Sequence, residues 1–259
     1  MKLLNLNICI KMDNTKEVMD LLNEHDVSIV TIQEAMHGVD DSCFSMYCSE
    51  NELITLKQYP NHAFAPLFIA NGVTKNGKVT RDFGGKAEQG TLLLSKYEIK
   101  EHTNDFYYNE YRYEYDATNF KKDDWCRSIQ NAIIKIGDKE LQIINVHGIW
   151  NEGKIGDKRT IFQSEFILSK VRKDIPAIIV GDFNLLPETE SITLLEKELT
   201  NLIKVYDISS TRPHFDDGLD KGNLVCDYIF VNNLVTVNHF EVIESKVSDH
   251  LPLLIDFEI

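Results

Sequence analysis

The sequence predicts an α/β fold, and three observations carry the prediction. Alternating or β-branched apolar runs recur along the whole chain, several are separated by stretches with helical spacing, and the strand–helix–strand pattern of the first half returns in the second. The composition permits it: 259 residues, 43% hydrophobic and 26% charged, is an ordinary globular mix with enough chain for one large core. No low-complexity linker or short-period repeat divides the sequence, so one domain over 1–259 is expected.

The elements follow in order. Leu4, Leu6, Ile8 and Ile10 alternate with Asn5, Asn7 and Cys9, the period of a half-buried strand. Asn14-Thr15-Lys16-Glu17 has the form of a capping box, and Val18, Leu21 and Leu22 follow at helical spacing, predicting a helix over 15–25. The β-branched run 27–32 predicts a strand ending in Gln33-Glu34, with Glu34 at the mouth of a sheet. Residues 37–81 have poor periodicity with scattered Asn, Gly and Pro, the pattern of short helices and loops. A short strand is expected at 91–95. The polar stretch 104–125, holding Tyr107, Tyr108, Tyr111, Tyr113 and Tyr115, reads as a long ordered loop. Strands at 128–136 and 141–147 flank Gly137-Asp138 as a hairpin.

In the second half, Phe162, Phe166 and Ile167 mark a helix over 158–172, and Pro176 breaks the chain before the apolar strand 177–180. That strand delivers Gly181-Asp182-Phe183-Asn184. A helix at 189–199 and strands at 225–231, 234–243 and 251–257 complete the chain.

Charge and composition exclude several functions. Lys and Arg number 27 against 41 Asp and Glu, a formal charge of −14, which repels polyanions at long range and disfavours a protein that coats nucleic acid or anionic membrane through a general basic surface. A local phosphate site remains compatible with it. No run approaches the roughly 18 apolar residues of a membrane helix, and the segment after Lys2 is too short and too often interrupted by Asn to act as a signal peptide. The five cysteines, Cys9, Cys43, Cys48, Cys126 and Cys226, form no CxxC pair and no zinc-like spacing, as expected of reduced thiols in a cytoplasmic protein.

Three polar clusters stand where apolar strands end: Gln33-Glu34, Gly181-Asp182-Phe183-Asn184 and Ser248-Asp249-His250. Hard divalent cations take oxygen ligands, usually one or two carboxylates completed by water, and such an ion polarises a phosphoryl oxygen. A lone strand-end Asp more often closes a turn, and a lone strand-end His is more often a structural hydrogen-bonding group, so the weight lies in the set.

That set resembles the endonuclease/exonuclease/phosphatase superfamily, the metal-dependent phosphoesterases that include pancreatic deoxyribonuclease, abasic-site endonucleases, bacterial sphingomyelinases and inositol polyphosphate phosphatases. The matching residues are Asn7 in "LLNLN", Glu34 in "TIQEA", the "GTLLLSKY" strand, Arg127 in "CRSIQNAI", His147 in "NVHG", Asp182 and Asn184 in "GDFNLLP", Asp227 in "CDYIF", and Asp249 with His250 in "SDHLPL". The resemblance implies a four-layer α/β/β/α sandwich of two face-packed mixed sheets with outer helices, which periodicity alone does not select. It also implies Mg²⁺, with Mn²⁺ as a substitute, held by Asn7, Glu34 and Asp249, with Glu34 the principal ligand. Asp182 and Asn184 would orient the attacking water and hold the phosphate. Asp227 would fix and charge His250, and His147 would stabilise or protonate the leaving oxygen. The planar fork of Arg127 suits bidentate phosphate contact. In some nuclease members a Glu pairs with the equivalent of His147; here Glu88 stands one residue out of register.

The expected activity is hydrolysis of a phosphodiester by in-line attack of water, with either His250 or Asp182 as base. DNA or RNA ranks first as substrate: aromatic rings near 107–115 could stack bases, although large ring burial favours their packing on the body of the protein, and Lys121, Lys122, Arg127 and residues 154–159 could form a local basic rim or equally be solvated charges. A small or lipid-derived phosphate ranks second and suits the acidic surface better. A non-catalytic interaction protein ranks third, because it would be free to lose Glu34 or His250. A monomer is expected.

Overall fold

The computed structural model describes residues 1–10, 13–75, 78–112, 126–212 and 224–259. Strand β1 (Lys2–Asn7) leads through α1 (Thr15–Glu24) to β2 (Ile29–Gly38), and after a 3-10 turn at Ser45–Tyr47 and the short α2 (Ser49–Leu53) come β3 (Asn61–Lys75), β4 (Lys78–Ser95) and β5 (Glu98–Tyr108). The hairpin β6 (Arg127–Ile136) and β7 (Lys139–His147) leads through α3 (Lys158–Lys170) to β8 (Ala177–Asp182). Then follow α4 (Glu190–Glu196), β9 (Thr200–Asn201), α5 (Leu202–Val205), β10 (Asp227–Val231), β11 (Thr236–Val242) and β12 (Leu253–Glu258).

The strands form two six-stranded mixed sheets, in the orders β11-β12-β1-β2-β4-β3 and β5-β6-β7-β8-β10-β9. Each sheet has one parallel pair, β1 with β2 and β7 with β8, at the two places where a helix crosses over. The outer face of the first sheet (Leu4, Leu6, Val30, Ile32, Leu92) packs on Val18, Leu21 and Leu22 of α1. Between the sheets Leu3, Ile29, Leu93 and Ile255 of the first meet Ile143 and Ile178 of the second, and the same core reaches Ile167 of α3 and Ile192 of α4 on the far side. The result is a four-layer α/β sandwich.

Four expectations need correction. Residues 61–75 and 78–95 are two long antiparallel strands, not short helices and loops, and 91–95 is only the end of the second. Register shifts between Pro66 and Phe68, Ala70 and Gly72, and Val73 and Thr74 interrupt the period-2 pattern that would have revealed them. Residues 104–108 continue β5 instead of opening a loop; Tyr113, Tyr115, Lys121 and Lys122 lie outside the described residues. Asn14 does not cap α1 through its side chain. Its Nδ2 donates instead to the carbonyls of Ile8 (2.7 Å) and Val247 (2.5 Å), tying the start of α1 to the end of β1 and to the loop before Ser248. Finally, Glu34 is not at a strand end. It lies inside β2, where the register with β4 shifts between Ile32 and Ala35 and Glu34 itself has φ +60°.

Candidate active site

Strand register assembles the site. On β7 the residues Leu141, Ile143, Asn145 and His147 share a face by alternation. His147 pairs in register with Asp182 at the end of β8, and Asp182 pairs with Asp227 at the start of β10, so three chemical side chains form a row across neighbouring strands. In the other sheet Asn7 pairs with Gln33. Plain alternation would put Gln33 and Glu34 on opposite faces. The bulge breaks it, so Gln33 stays buried between the sheets while Glu34 turns into the cavity at their edge.

Two glycines are dictated by how closely β7 and β8 approach. A Cβ on Gly181 would lie 2.0 Å from the Val146 carbonyl oxygen, and one on Gly148 would lie 2.3 Å from that of Phe183. Strands β1 and β8 then end in the same device. The Cys9 amide donates to Asn7 Oδ1 (3.0 Å) and the Asn184 amide to Asp182 Oδ1 (2.8 Å), turning Cys9 and Asn184 into the left-handed region at φ +57° and +56°.

Seven of the nine residues singled out in the sequence, Glu34, Arg127, His147, Asp182, Asn184, Asp249 and His250, line one cavity of about 390 Å³. The other two support it. Asn7 Nδ2 donates to Asp182 Oδ2 (3.1 Å) and Glu34 Oε1 (3.4 Å), and Asp227 receives His250 Nδ1 at 2.9 and 3.0 Å.

The charge states are set by burial and neighbours. Burial works to raise the Asp182 carboxyl, but His250, Lys154, His147 and the Asn184 amide outweigh it and hold it at about 2, so Asp182 is ionised. Burial pushes His147 down to about 4, and the nearby Arg127 charge adds to this, leaving a neutral imidazole whose Nε2 lies 3.8 Å from Glu34 and 4.0 Å from Asp182. Burial also disfavours charge on His250, yet Asp227 and its other acidic neighbours raise it well above the ordinary value, making it an imidazolium. Burial raises the Asp227 carboxyl above its ordinary value, opposed by the His250 charge and by hydrogen bonds from His250 and from Thr211 Oγ1 (2.8 Å); Cys226 Sγ also reaches its Oδ2 (3.5 Å). The site therefore holds one neutral and one cationic histidine on either side of an ionised aspartate.

The sequence matches the Endonuclease/Exonuclease/phosphatase family over residues 5–250. The chain belongs to that family. Among solved structures, the fold is similar to an endonuclease/exonuclease/phosphatase family protein from Leptotrichia buccalis (18% identity, all of both chains covered, TM-score 0.70). It is also similar to a mannosyl-6-phosphatase of Bacteroides thetaiotaomicron (16%, all of both chains, 0.66) and to D. rerio TDP2 in complex with a single-strand DNA product (11%, all of this chain and 99% of the other, 0.67). Among curated proteins no match was found.

Members of the family are phosphoesterases that generally use divalent metal ions, and the donor set here can be tested for fit. Glu34 and Asp249 both present carboxylate oxygens to the cavity, beside Ile10, whose amide donates to Glu34 Oε2 (2.8 Å), and Cys9, whose side chain bonds Asp249. Oxygen donors from β2 and from the loop between β11 and β12, meeting at one cavity, suit a hard cation. Asn7 is placed differently from a simple ligand, since its Oδ1 is engaged by the Cys9 amide and its amide nitrogen faces the acids. The tightest ligating cluster among the described residues is Asp182, Cys226, Asp227 and His250, with donor atoms within 4.8 Å of one another. It fits Mg²⁺ poorly: burial raises the Cys226 thiol to about 11, and Asp227 and His250 already satisfy each other.

Arg127 is not a fully presented fork, since two of its donors are taken by backbone carbonyls. It is buried, and its Nε and Nη1 donate to the carbonyls of Gly148 (2.8 Å) and Cys126 (3.0 Å), bracing the turn after His147 while its side chain borders the cavity. Glu88 accepts from Tyr111 (2.5 Å) and makes no ion pair with His147, whereas its neighbour Gln89 borders the cavity and His147 Nδ1 is buried with no partner among the described residues. Tyr107 packs on the body of the protein, its hydroxyl donating to Gln163 (3.0 Å).

Sequence reasoning missed Thr211, which binds Asp227; Arg212, whose Nη2 donates to Asp249 Oδ2 (2.6 Å); and Trp150, which lines the cavity. None carries a local motif signal. Residues 154–159 were read only as a basic rim, but Lys154 is buried at the cavity wall, and the spacing of Gly153 and Gly156 around it was a usable sign.

Proposed function

We propose that the chain is a divalent-metal-dependent phosphodiester hydrolase acting on nucleic acid, at single-stranded segments or ends. The carrying observation is the charge pattern about the cavity: ionised Asp182 between imidazolium His250 and neutral His147, beside the carboxylates of Glu34 and Asp249. Ionised Asp182, fixed by Asn7 and the Asn184 amide, accepts a hydrogen bond from the attacking water and orients it. His250, charged through Asp227, faces the phosphoryl oxygens as a cation and is not the resting base. His147, neutral, offers an N–H to the departing oxygen. A divalent cation on Glu34 and Asp249 supplies Lewis-acid stabilisation of the phosphoryl charge when bound.

Two features support a nucleic-acid substrate. Phe68, Tyr108 and Trp150 line the cavity beside the acids, as base stacking requires, and Arg81, Arg159 and Arg212 line it with them, a basic mouth on an otherwise acidic molecule. The charge of −14 disfavours a duplex footprint and leaves single strands. The single-strand DNA product bound by D. rerio TDP2 supports the same choice. A small phosphate ester is the second reading, favoured by a cavity of about 390 Å³ and by the likeness to a mannosyl-6-phosphatase.

The deciding assay offers single-stranded DNA, RNA, nicked plasmid, a hexose 6-phosphate and diester and monoester chromogens, each with Mg²⁺ or chelator. Single-strand cleavage abolished by chelator, and reduced by at least about 10³ in Glu34→Ala, is expected. Turnover of monoesters alone would replace the diester reading by the phosphatase one.

A further inference from the structure

Lys154 lies in the β7–α3 segment with only 5% of its surface exposed, and it borders the cavity. An ammonium carries three donors, and one is accounted for: Nζ donates to Asn184 Oδ1 at 2.6 Å. Among the described residues no carboxylate stands within 4.0 Å of it, although Asp182 is near enough for the Lys154 charge to lower its carboxyl. A buried cation without an ion-pair partner is costly. Arg159 and Arg212, also at the cavity, are each paired with an aspartate (Asp157 and Asp249), so Lys154 differs from them in needing a counter-charge.

The backbone is held in place at some conformational cost. Lys154 has φ +54°, between Gly153 at +72° and Gly156 at +77°. Seven described non-glycine residues have positive φ, and four of them, Cys9, Glu34, Lys154 and Asn184, line this one cavity. Left-handed conformations of non-glycine residues persist where the surroundings over-determine them. Here the Leu186 amide donates to the Lys154 carbonyl (2.9 Å), clamping the segment to the loop that carries Asn184.

We propose that Lys154 Nζ is a substrate ligand that holds a non-bridging oxygen of the phosphoryl group. Asn184 aims it, and the substrate phosphate is its missing counter-ion. The proposal rests on the phosphoesterase reading and adds to it a metal-independent part of phosphate recognition, supplied by the β7–α3 segment.

Binding of inorganic phosphate, measured by calorimetry with chelator present, tests it without turnover. Lys154→Met is expected to raise Kd by about tenfold or more and Lys154→Arg by less, while Lys197→Met, at an exposed position away from the cavity, leaves it unchanged. On the diester substrate with Mg²⁺, Lys154→Met should lower kcat/KM by about 10²-fold or more. A folded Lys154→Met protein with wild-type phosphate affinity and wild-type kcat/KM overturns the assignment while leaving the phosphoesterase reading intact. A wild-type chain that neither binds phosphate nor cleaves any ester in the assay above overturns both. If neither Lys154 variant folds, acetylation of the wild-type chain located by peptide mass spectrometry decides: phosphate protection of Lys154 supports the role, and equal labelling with and without phosphate overturns it.

Discussion

His250 and His147 show how one cavity sets two identical side chains to opposite tasks. Asp227 faces His250 Nδ1 through both oxygens, whereas His147 has Arg127 nearby and, among the described residues, no partner on Nδ1. Replacing Asp227 by Asn keeps the shape and removes the charge. Turnover should fall by about 10² to 10⁴ with KM little changed and the fold intact, checked by steady-state kinetics beside circular dichroism. Wild-type kcat in that variant would mean that a charged His250 plays no part in the chemistry. At this scale the sequence was informative, because side-chain type restricts chemistry: the acids, the amides and both histidines were legible in short motifs. Thr211 and Arg212 were not, since a hydroxyl or guanidinium acquires its role only from the carboxylate placed opposite it.

The helices and strands were legible where local rules act alone. Helix α3 begins at a capping box, with Asp157 Oδ1 accepting from the Arg159 amide (2.8 Å) and the Thr160 amide (3.3 Å) while Thr160 Oγ1 accepts from the Asp157 amide (2.9 Å). This cap anchors the far end of the segment that carries Trp150 and Lys154. Asp157→Ala should cost about 1 kcal/mol in urea denaturation at neutral pH. The Arg159 guanidinium and the two amides, opposed by partial burial, hold the Asp157 carboxyl below its ordinary value. Its stabilisation is therefore complete above the ordinary carboxylate range and is lost as pH falls through the lowered value, so the wild-type advantage should shrink between roughly pH 5 and pH 2. An advantage that grew with acidification would contradict that origin. Where an element depends on its neighbours the local reading failed: Asn14, spaced like a cap, is claimed by two carbonyls, one of them 233 residues away.

Across the whole molecule, a column of buried amides joins the two sheets. Gln33 Nε2 donates to Asn5 Oδ1 (2.8 Å) in its own sheet and to Asn145 Oδ1 (2.6 Å) in the other, and Asn145 Nδ2 donates on to Gln130 Oε1 (2.9 Å). The column fixes the sheets against each other one residue from Glu34 and two from His147, so it sets the relation between the metal-facing carboxylate and the row on β7, β8 and β10. Asn145→Leu should destabilise by about 2–4 kcal/mol, because the amides it leaves behind stay buried without partners. A denaturation midpoint equal to wild type would show that the column carries no such burden.

The sequence by itself determined the chemistry available and the alternation of strands and helices, because side-chain type and local periodicity are properties of short segments. It determined the family as well, through residues spread from Asn7 to His250. Only the tertiary structure decided that β3 and β4 are long paired strands, that a bulge turns Glu34 toward the cavity, and that Lys154 is buried at the cavity wall with its ammonium on Asn184. Bulges, burial and counter-charges arise when distant segments are brought together, and no local pattern encodes them.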